Sequence, residues 1–213
     1  MNLKDRAILI TEALQKQYSD AECTLDAVLP HELLISARLS AQCTDARVNT
    51  VTKTLFSRYR SVDEFAAADI NELENIVRSC GFFKIKSRDI IAMCKMLSEK
   101  HGGIVPDTME QLLELPGVGR KTANLILGDL YGKPAIVTDT HCIRIANRLG
   151  LCDSLDPVKV EKALLKLIPT AESSMFCHRL VLHGRAVCAA RKARCEICRL
   201  NELCVKKIEI HKK

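Results

Sequence analysis

The sequence is poor in the features that would take it away from aqueous, helical architecture. Of 213 residues only eight are aromatic, three Tyr and five Phe, and tryptophan is absent. No apolar run approaches the roughly 18 to 20 residues of a membrane span, so no membrane is expected. The opening MNLKDRAILI carries Asp5, with Glu12 just behind, instead of a signal-peptide pattern, and the protein is expected to stay in the cytoplasm. β-Branched residues do not pair into strand-like runs; residues 135–138 form one, too short and solitary for a sheet. Internal repeats and low-complexity linkers are also missing. What remains is 47% hydrophobic with mean hydropathy near zero, enough for one large domain or two small ones.

The net charge of +6 is unevenly placed. Residues 1–178 hold 22 Lys/Arg against 23 Asp/Glu, whereas residues 179–213 hold 10 against 3. A basic end on a neutral body points to a polyanionic partner, the alternative being a solvated tail. Seven of the eleven cysteines (Cys23, Cys43, Cys80, Cys94, Cys142, Cys152, Cys177) are scattered within helical patterns, as buried thiols are in a reducing compartment.

Hydrophobic spacing predicts an all-α chain of about ten helices. Leu3, Ala7, Ile10 and Leu14 share one stripe, Pro30 opens a second helix, and Val48, Val51, Leu55 and Tyr59 mark a third after a polar turn at residues 42–45. Ser61 with Glu64 and Asp69 with Glu72 have capping-box spacing. FFKIK reads as a turn, with Ser87 capping the helix that follows. Pro106 and Asp107 start the first helix of a hairpin, and residues 121–130 form the second. Further helices are expected over 141–149, from Pro157 to Ile168, and from Ser174 to about Gly184.

The hairpin, LPGVGRKTAN at residues 115–124, is the centre of the sequence. Gly117 and Gly119 can both take positive φ, so the amides of Gly117, Val118 and Gly119 can point outward together and attract a phosphate; a plain glycine-containing αα-hairpin is the alternative. Lys121 stands in the first helical turn, where a cation is electrostatically unwelcome. A free lysine is only about one part in a thousand neutral at neutral pH, so an amine nucleophile needs desolvation beyond what a helix dipole supplies; phosphate binding is the other use for it. Asp139, in VTDTH, fits a helix N-cap, yet an ionised carboxylate also suits chemistry at a sugar carbon. Cys188, Cys195, Cys198 and Cys204 form C-x6-C-x2-C-x5-C, a four-sulfur metal site whose spacing alone leaves zinc and a [4Fe–4S] cluster open and tilts toward the cluster. A loop pinned by metal would hold Arg191, Lys192 and Arg194 at fixed positions for phosphates.

Together LPGVGRKTAN, VTDTHCIRIANRLGL, LHGR at 182–185 and the cysteine pattern resemble the endonuclease III family of the helix-hairpin-helix-Gly/Pro-Asp superfamily, bifunctional DNA glycosylases and abasic-site lyases. The resemblance runs from the LSAQ turn to Cys204. It implies a two-lobed all-α fold. A six-helix barrel would span about 22–133, with its helix-hairpin-helix at about 107–130. A cluster domain would join 1–21 to 134–213, with the cluster loop at 188–204 and DNA crossing between the lobes. It implies that Lys121 attacks C1′ of a flipped nucleotide and passes through a Schiff base to β-elimination, assisted by Asp139. It also implies a [4Fe–4S] cofactor on the four cysteines, a monomer bound to damaged double-stranded DNA at the nucleoid, and oxidised pyrimidines as substrates.

Gln42 and Phe82 match the residues with which the family fills the space left by the flipped nucleotide. Gln42 can hydrogen-bond an orphaned base, or be an ordinary exposed turn residue; Phe82 or Phe83 could equally be core. The FFKIK segment departs from the family's usual YNSK-like sequence, and altered lesion or opposite-base preference is expected there. Arg120 and His141, beside the catalytic pair, are further candidates for DNA contact. Lys121 speaks against two related activities, adenine removal opposite oxidised guanine and mismatch-thymine removal. A non-catalytic iron–sulfur DNA-binding or redox-sensing protein would leave Lys121 and Asp139 without a purpose.

Overall fold

Most of the helices start where a side chain accepts one of the amides that a helix N-terminus leaves free. In the computed structural model, which describes residues 1–206, Asn2 does this for α1 (Leu3–Gln17). Pro30 opens α2 (Pro30–Leu39), where Glu32 reaches back to the amides of Val28 and Leu29 at 2.7 and 3.0 Å. Thr44 caps α3 (Asp45–Arg58), Ser61 caps α4 (Val62–Ala66) and Asp69 caps α5 (Ile70–Val77), which runs into a 3-10 turn over Arg78–Cys80. α6 (Phe83–His101) follows and ends on the left-handed Gly102. Thr108 caps α7 (Met109–Glu114), and α8 (Arg120–Leu125) widens into a π-turn at Ile126–Leu130. Asp139 caps α9 (Thr140–Arg148) and Asp156 caps α10 (Pro157–Leu167). A 3-10 turn at Thr170–Glu172 leads into α11 (Ser173–Ala186).

The chain divides into two units, residues Cys23–Tyr131 and the pair Met1–Glu22 with Gly132–Lys213. The first contains α2 to α8 around a core that includes Leu34, Phe65, Leu73, Ile90 and Met93, all fully buried. Phe65 is its hub, with the rings of His31, Phe56 and Tyr59 within 5.2 to 6.3 Å. The second contains α1, α9, α10 and α11 around Ile10, Ile145, Leu164 and Phe176. Residues 135–138 are buried there, but as an extended strap: Ala135 donates to Ser173 Oγ at 3.1 Å and Val137 to Cys177 Sγ at 3.2 Å. Among the described residues the only β contact is an isolated bridge between Cys188 and Ala193.

Several local expectations need correction. FFKIK is not a separate turn: Phe82 is the N-cap and residues 83–86 are the first turn of α6, and Ser87 lies buried inside that helix. The period failed there because Lys86, polar by type, points inward. Pro106 and Asp107 precede the first hairpin helix, which starts at Met109 because Thr108 supplies the cap. Glu72 does not close a capping box on Asp69; it forms a two-pronged pair with Arg58 at 2.6 and 2.9 Å and accepts from Tyr59. Of the seven scattered cysteines, Cys80, Cys94, Cys142 and Cys177 are buried, while Cys23, Cys43 and Cys152 are half-buried.

Candidate functional site

The hairpin takes its shape from one glycine. Gly117 has φ +76°, and a Cβ there would lie 2.6 Å from Arg38 Nε and 2.8 Å from Asp89 Oδ2. The turn is therefore seated directly on the Arg38–Asp89 ion pair, whose closest approach is 2.6 Å. Gly119 is different: its φ of −99° is extended backbone open to any residue, so only one of the two glycines is conformationally required. Nor do three amides face outward, because Val118 is buried and its N–H donates to Leu115 O at 3.1 Å. Among the described residues no hydrogen bond engages the amides of Gly117 or Gly119, which leaves these two for an anion. Lys121 is exposed in the first turn of α8, with Arg120 half-buried beside it.

Gln42 and Phe82 share an unusual backbone. Their φ values are +54° and +47°, and outside glycine only Lys206 joins them among the described residues. Left-handed backbone at a bulky residue is strained and tends to mark functional positions. Gln42 is exposed and Phe82 is 62% exposed, so neither is core; the half-buried ring of the pair is Phe83, covered by the Arg78 guanidinium at 5.2 Å. Both turns belong to the Cys23–Tyr131 unit.

In the other unit α9 links a carboxylate to a cysteine loop. Asp139 Oδ1 accepts the Cys142 amide at 2.7 Å, so the residue is an N-cap. Among the described residues its second oxygen takes no hydrogen bond, and capping and chemistry are compatible. His141 is half-buried, and its Nδ1 lies 3.1 Å from an Arg144 nitrogen. Gly184 of α11 permits that arrangement, since a Cβ there would stand 2.3 Å from His141 Nδ1.

Arg144 and Arg148, one turn apart on α9, grip the start of the cysteine loop. Arg144 donates to Cys188 O at 3.0 Å, and Arg148 to Ala189 O and Ala190 O at 2.8 Å each and to Cys188 Sγ at 3.3 Å. Burial lowers the pKa of Arg144, while the Cys188 and Asp139 charges oppose that shift. From α1, Arg6 donates to Leu149 O, Gly150 O and Leu203 O at 2.6 to 3.0 Å and fastens the loop's far end.

Cys188, Cys195, Cys198 and Cys204 line one cavity, with Arg148 and His183 in its wall. Among the described residues no three His, Cys, Asp or Glu converge as the ligands of one ion would. Four thiols around one shared space supply the donor set that a metal or metal–sulfur group requires. The Lys206 amide donates to Cys204 Sγ at 3.3 Å, which with the Arg148 contact gives two N–H groups directed at sulfur. Burial pushes up the Cys198 and Cys204 thiols, and burial alone drops His183 to about 4. A cationic group in the cavity would reverse that cost for the thiols. Arg191, Lys192 and Arg194 are exposed on the loop, Arg194 tethered to the Ala186 carbonyl.

The structure thus gathers the four cysteines at one cavity and sets Gln42 and Phe82 in matching backbone. Arg6, Arg144, Arg148 and Lys86 were not anticipated. The i, i+4 arginines of IRIANR, on the face that carries Ile145 and Leu149, were the available signal.

An all-α frame, a glycine-seated hairpin opening a helix with a lysine, and an aspartate capping a later helix define a helix-hairpin-helix DNA-repair protein. Consistent with this, residues 35–170 match the HhH-GPD superfamily of base excision DNA repair proteins. The chain is similar to endonuclease III of Synechocystis, 47% identical over 94% of this chain and 92% of the relative, and of Bacillus subtilis, 42% identical over 96% and 93%. Its structure resembles that of a trapped endonuclease III–DNA covalent intermediate, with a TM-score of 0.90, 43% identity and 97% of each chain covered. A thermostable thymine-DNA glycosylase, 20% identical with a TM-score of 0.85, shares the fold. The chain belongs to the endonuclease III family, DNA glycosylases with abasic-site lyase activity in base excision repair. Among the described residues no helix is long and apolar enough to cross a membrane.

Proposed function

We propose that the protein excises oxidised pyrimidines from duplex DNA and then cleaves the abasic site through a Schiff base on Lys121. The observation that carries this reading is an exposed amine on the first turn of α8, directly behind a hairpin with two amides left for phosphate. Support comes from the 43% identical endonuclease III solved as a trapped covalent intermediate with DNA.

In this reading Lys121 Nζ attacks C1′ of a flipped nucleotide. The bond from C1′ to the base breaks, and the base departs with the electron pair and takes up a proton. The nitrogen lone pair then opens the sugar ring to an iminium. Loss of a 2′ proton expels the 3′ phosphate by β-elimination, and water releases the lysine. The free oxygen of Asp139 assists by stabilising positive charge on the sugar and moving protons. Gln42 and Phe82 fill the space the nucleotide leaves. Gly117, Val118, Gly119, Arg120, His141, Arg191, Lys192 and Arg194 contact the DNA. Cys188, Cys195, Cys198 and Cys204 hold a [4Fe–4S] cluster, which when bound fixes the 188–204 loop and its three cations. Residues 22–133 form the barrel domain, and 1–21 with 134–213 the cluster domain. The protein works as a cytoplasmic, nucleoid-associated monomer.

Borohydride trapping on an abasic duplex tests the reading. Wild-type protein should give a covalent adduct and Lys121→Ala none; no adduct from wild type, or the same adduct from both, would end the lyase assignment. Zinc in place of iron and sulfide in the purified protein would end the cluster assignment.

A further inference from the structure

Lys86, in the first turn of α6, is 1% exposed, and its Nζ donates to Leu39 O and Cys80 O, each at 2.8 Å. Leu39 is the last residue of α2, and Cys80 the last of the Arg78–Cys80 turn. Helix C-termini leave carbonyls without partners and carry partial negative charge, so one ammonium closes two helix ends at once. Gln42 comes three residues after the first of these ends and Phe82 two after the second.

Burying an ammonium is unfavourable, and burial is indeed what lowers the pKa of Lys86, ahead of the opposing effect of the Cys43 and Cys80 thiols. Burial first, then the neighbouring Cys43, raises Cys80 to about 11. The two strained turns are therefore fastened to each other at a buried point beneath them. A left-handed backbone at Gln42 and Phe82 persists only where the surroundings over-determine it. Simple core filling would be served equally by a methionine, without the cost of burying a charge.

We propose that Lys86 is a positioning residue for base excision: by holding the ends of α2 and the Arg78–Cys80 turn on one ammonium, it sets the spacing of Gln42 and Phe82 and so governs excision from duplex DNA and opposite-base preference. This rests on the reading of Gln42 and Phe82 as the pair that occupies the vacated space in the duplex.

The test compares Lys86→Met, the double variant Gln42→Ala with Phe82→Ala, and their combination. Two substrates are used: a duplex carrying an oxidised pyrimidine opposite either purine, and single-stranded DNA with an abasic site, which has no opposite base and no space to fill. Lys86→Met should slow single-turnover excision from the duplex about tenfold and narrow the difference between opposite purines. It should change single-stranded abasic cleavage less than about twofold, and adding it to the double variant should cost little more. Lys86→Gln, which keeps a donor, should restore part of the rate.

Normal duplex excision by Lys86→Met, when the double variant is impaired, overturns the proposal. So does a parallel fall on both substrates, or failure of both the Met and Gln variants to fold, since either makes Lys86 a core residue only. Unimpaired excision by the double variant instead removes the reading of Gln42 and Phe82 on which the proposal stands.

Discussion

Asp139 uses one carboxylate oxygen to accept the Cys142 amide at 2.7 Å, and among the described residues the other takes no hydrogen bond. Substitution can separate these roles because asparagine caps a helix about as well as aspartate, whereas alanine loses roughly 1 kcal/mol. Asp139→Asn should therefore melt within a degree or two of wild type and bind abasic duplex normally, yet excise bases far more slowly. A matched loss of binding and thermal stability would mean that the residue is a cap alone. At the same scale Lys121 and Gly117 divide the work of the hairpin: the first supplies an amine, and the second lets the turn rest on Arg38 and Asp89.

At the scale of elements, α9 is the organising piece of its unit. Its N-terminus carries Asp139, and its inner face carries Arg144 and Arg148 to the carbonyls of residues 188–190. The helix reaches α11 closely because Gly184 has no side chain, with Arg144 2.8 Å and Ile145 3.0 Å from where its Cβ would be. Helix propensity favours alanine over glycine by about 1 kcal/mol, but forced overlap in a packed interface costs about 1 to 3 kcal/mol. The overlap should win. Gly184→Ala should lower the melting temperature by several degrees in calorimetry and loosen the cysteine loop, read as faster loss of bound metal. An unchanged or higher melting temperature would show instead that His141 swings aside at little cost.

At the scale of the whole molecule, charge placement matters more than net charge. The +6 excess arises in the last 35 residues, of which the cysteine loop displays Arg191, Lys192 and Arg194. Each cation that neutralises a phosphate contributes about 0.9 to the slope of log affinity against log salt. Replacing all three with alanine should flatten that slope by about 2 to 3, measured by fluorescence anisotropy on duplex DNA, while trapping on saturating abasic substrate persists. An unaltered slope would show that the loop does not meet the backbone. Of the other seven cations in that stretch, Lys207, Lys212 and Lys213 lie outside the described residues.

Local chemistry was legible in the sequence: caps at Ser61, Asp69, Asp139 and Asp156, the apolar stripes and the all-α class follow from short-range hydrogen bonding and helical period. The hairpin, its lysine and the cysteine spacing were legible for the same reason, because each is a contiguous motif. Contacts far apart along the chain were not. Nothing in FFKIK says that its last lysine turns inward to carbonyls 47 and 6 residues away, which is why a helix start reads as a turn. Nothing in PGVG says that only its first glycine faces a side chain, the guanidinium of Arg38. Period and capping depend on neighbours within a turn or two, and these the sequence alone determined. The seating of the hairpin, the coupling of the two strained turns and the grip of Arg6, Arg144 and Arg148 on the cysteine loop depend on which carbonyls and charges folding brings together, and only the tertiary structure decided them.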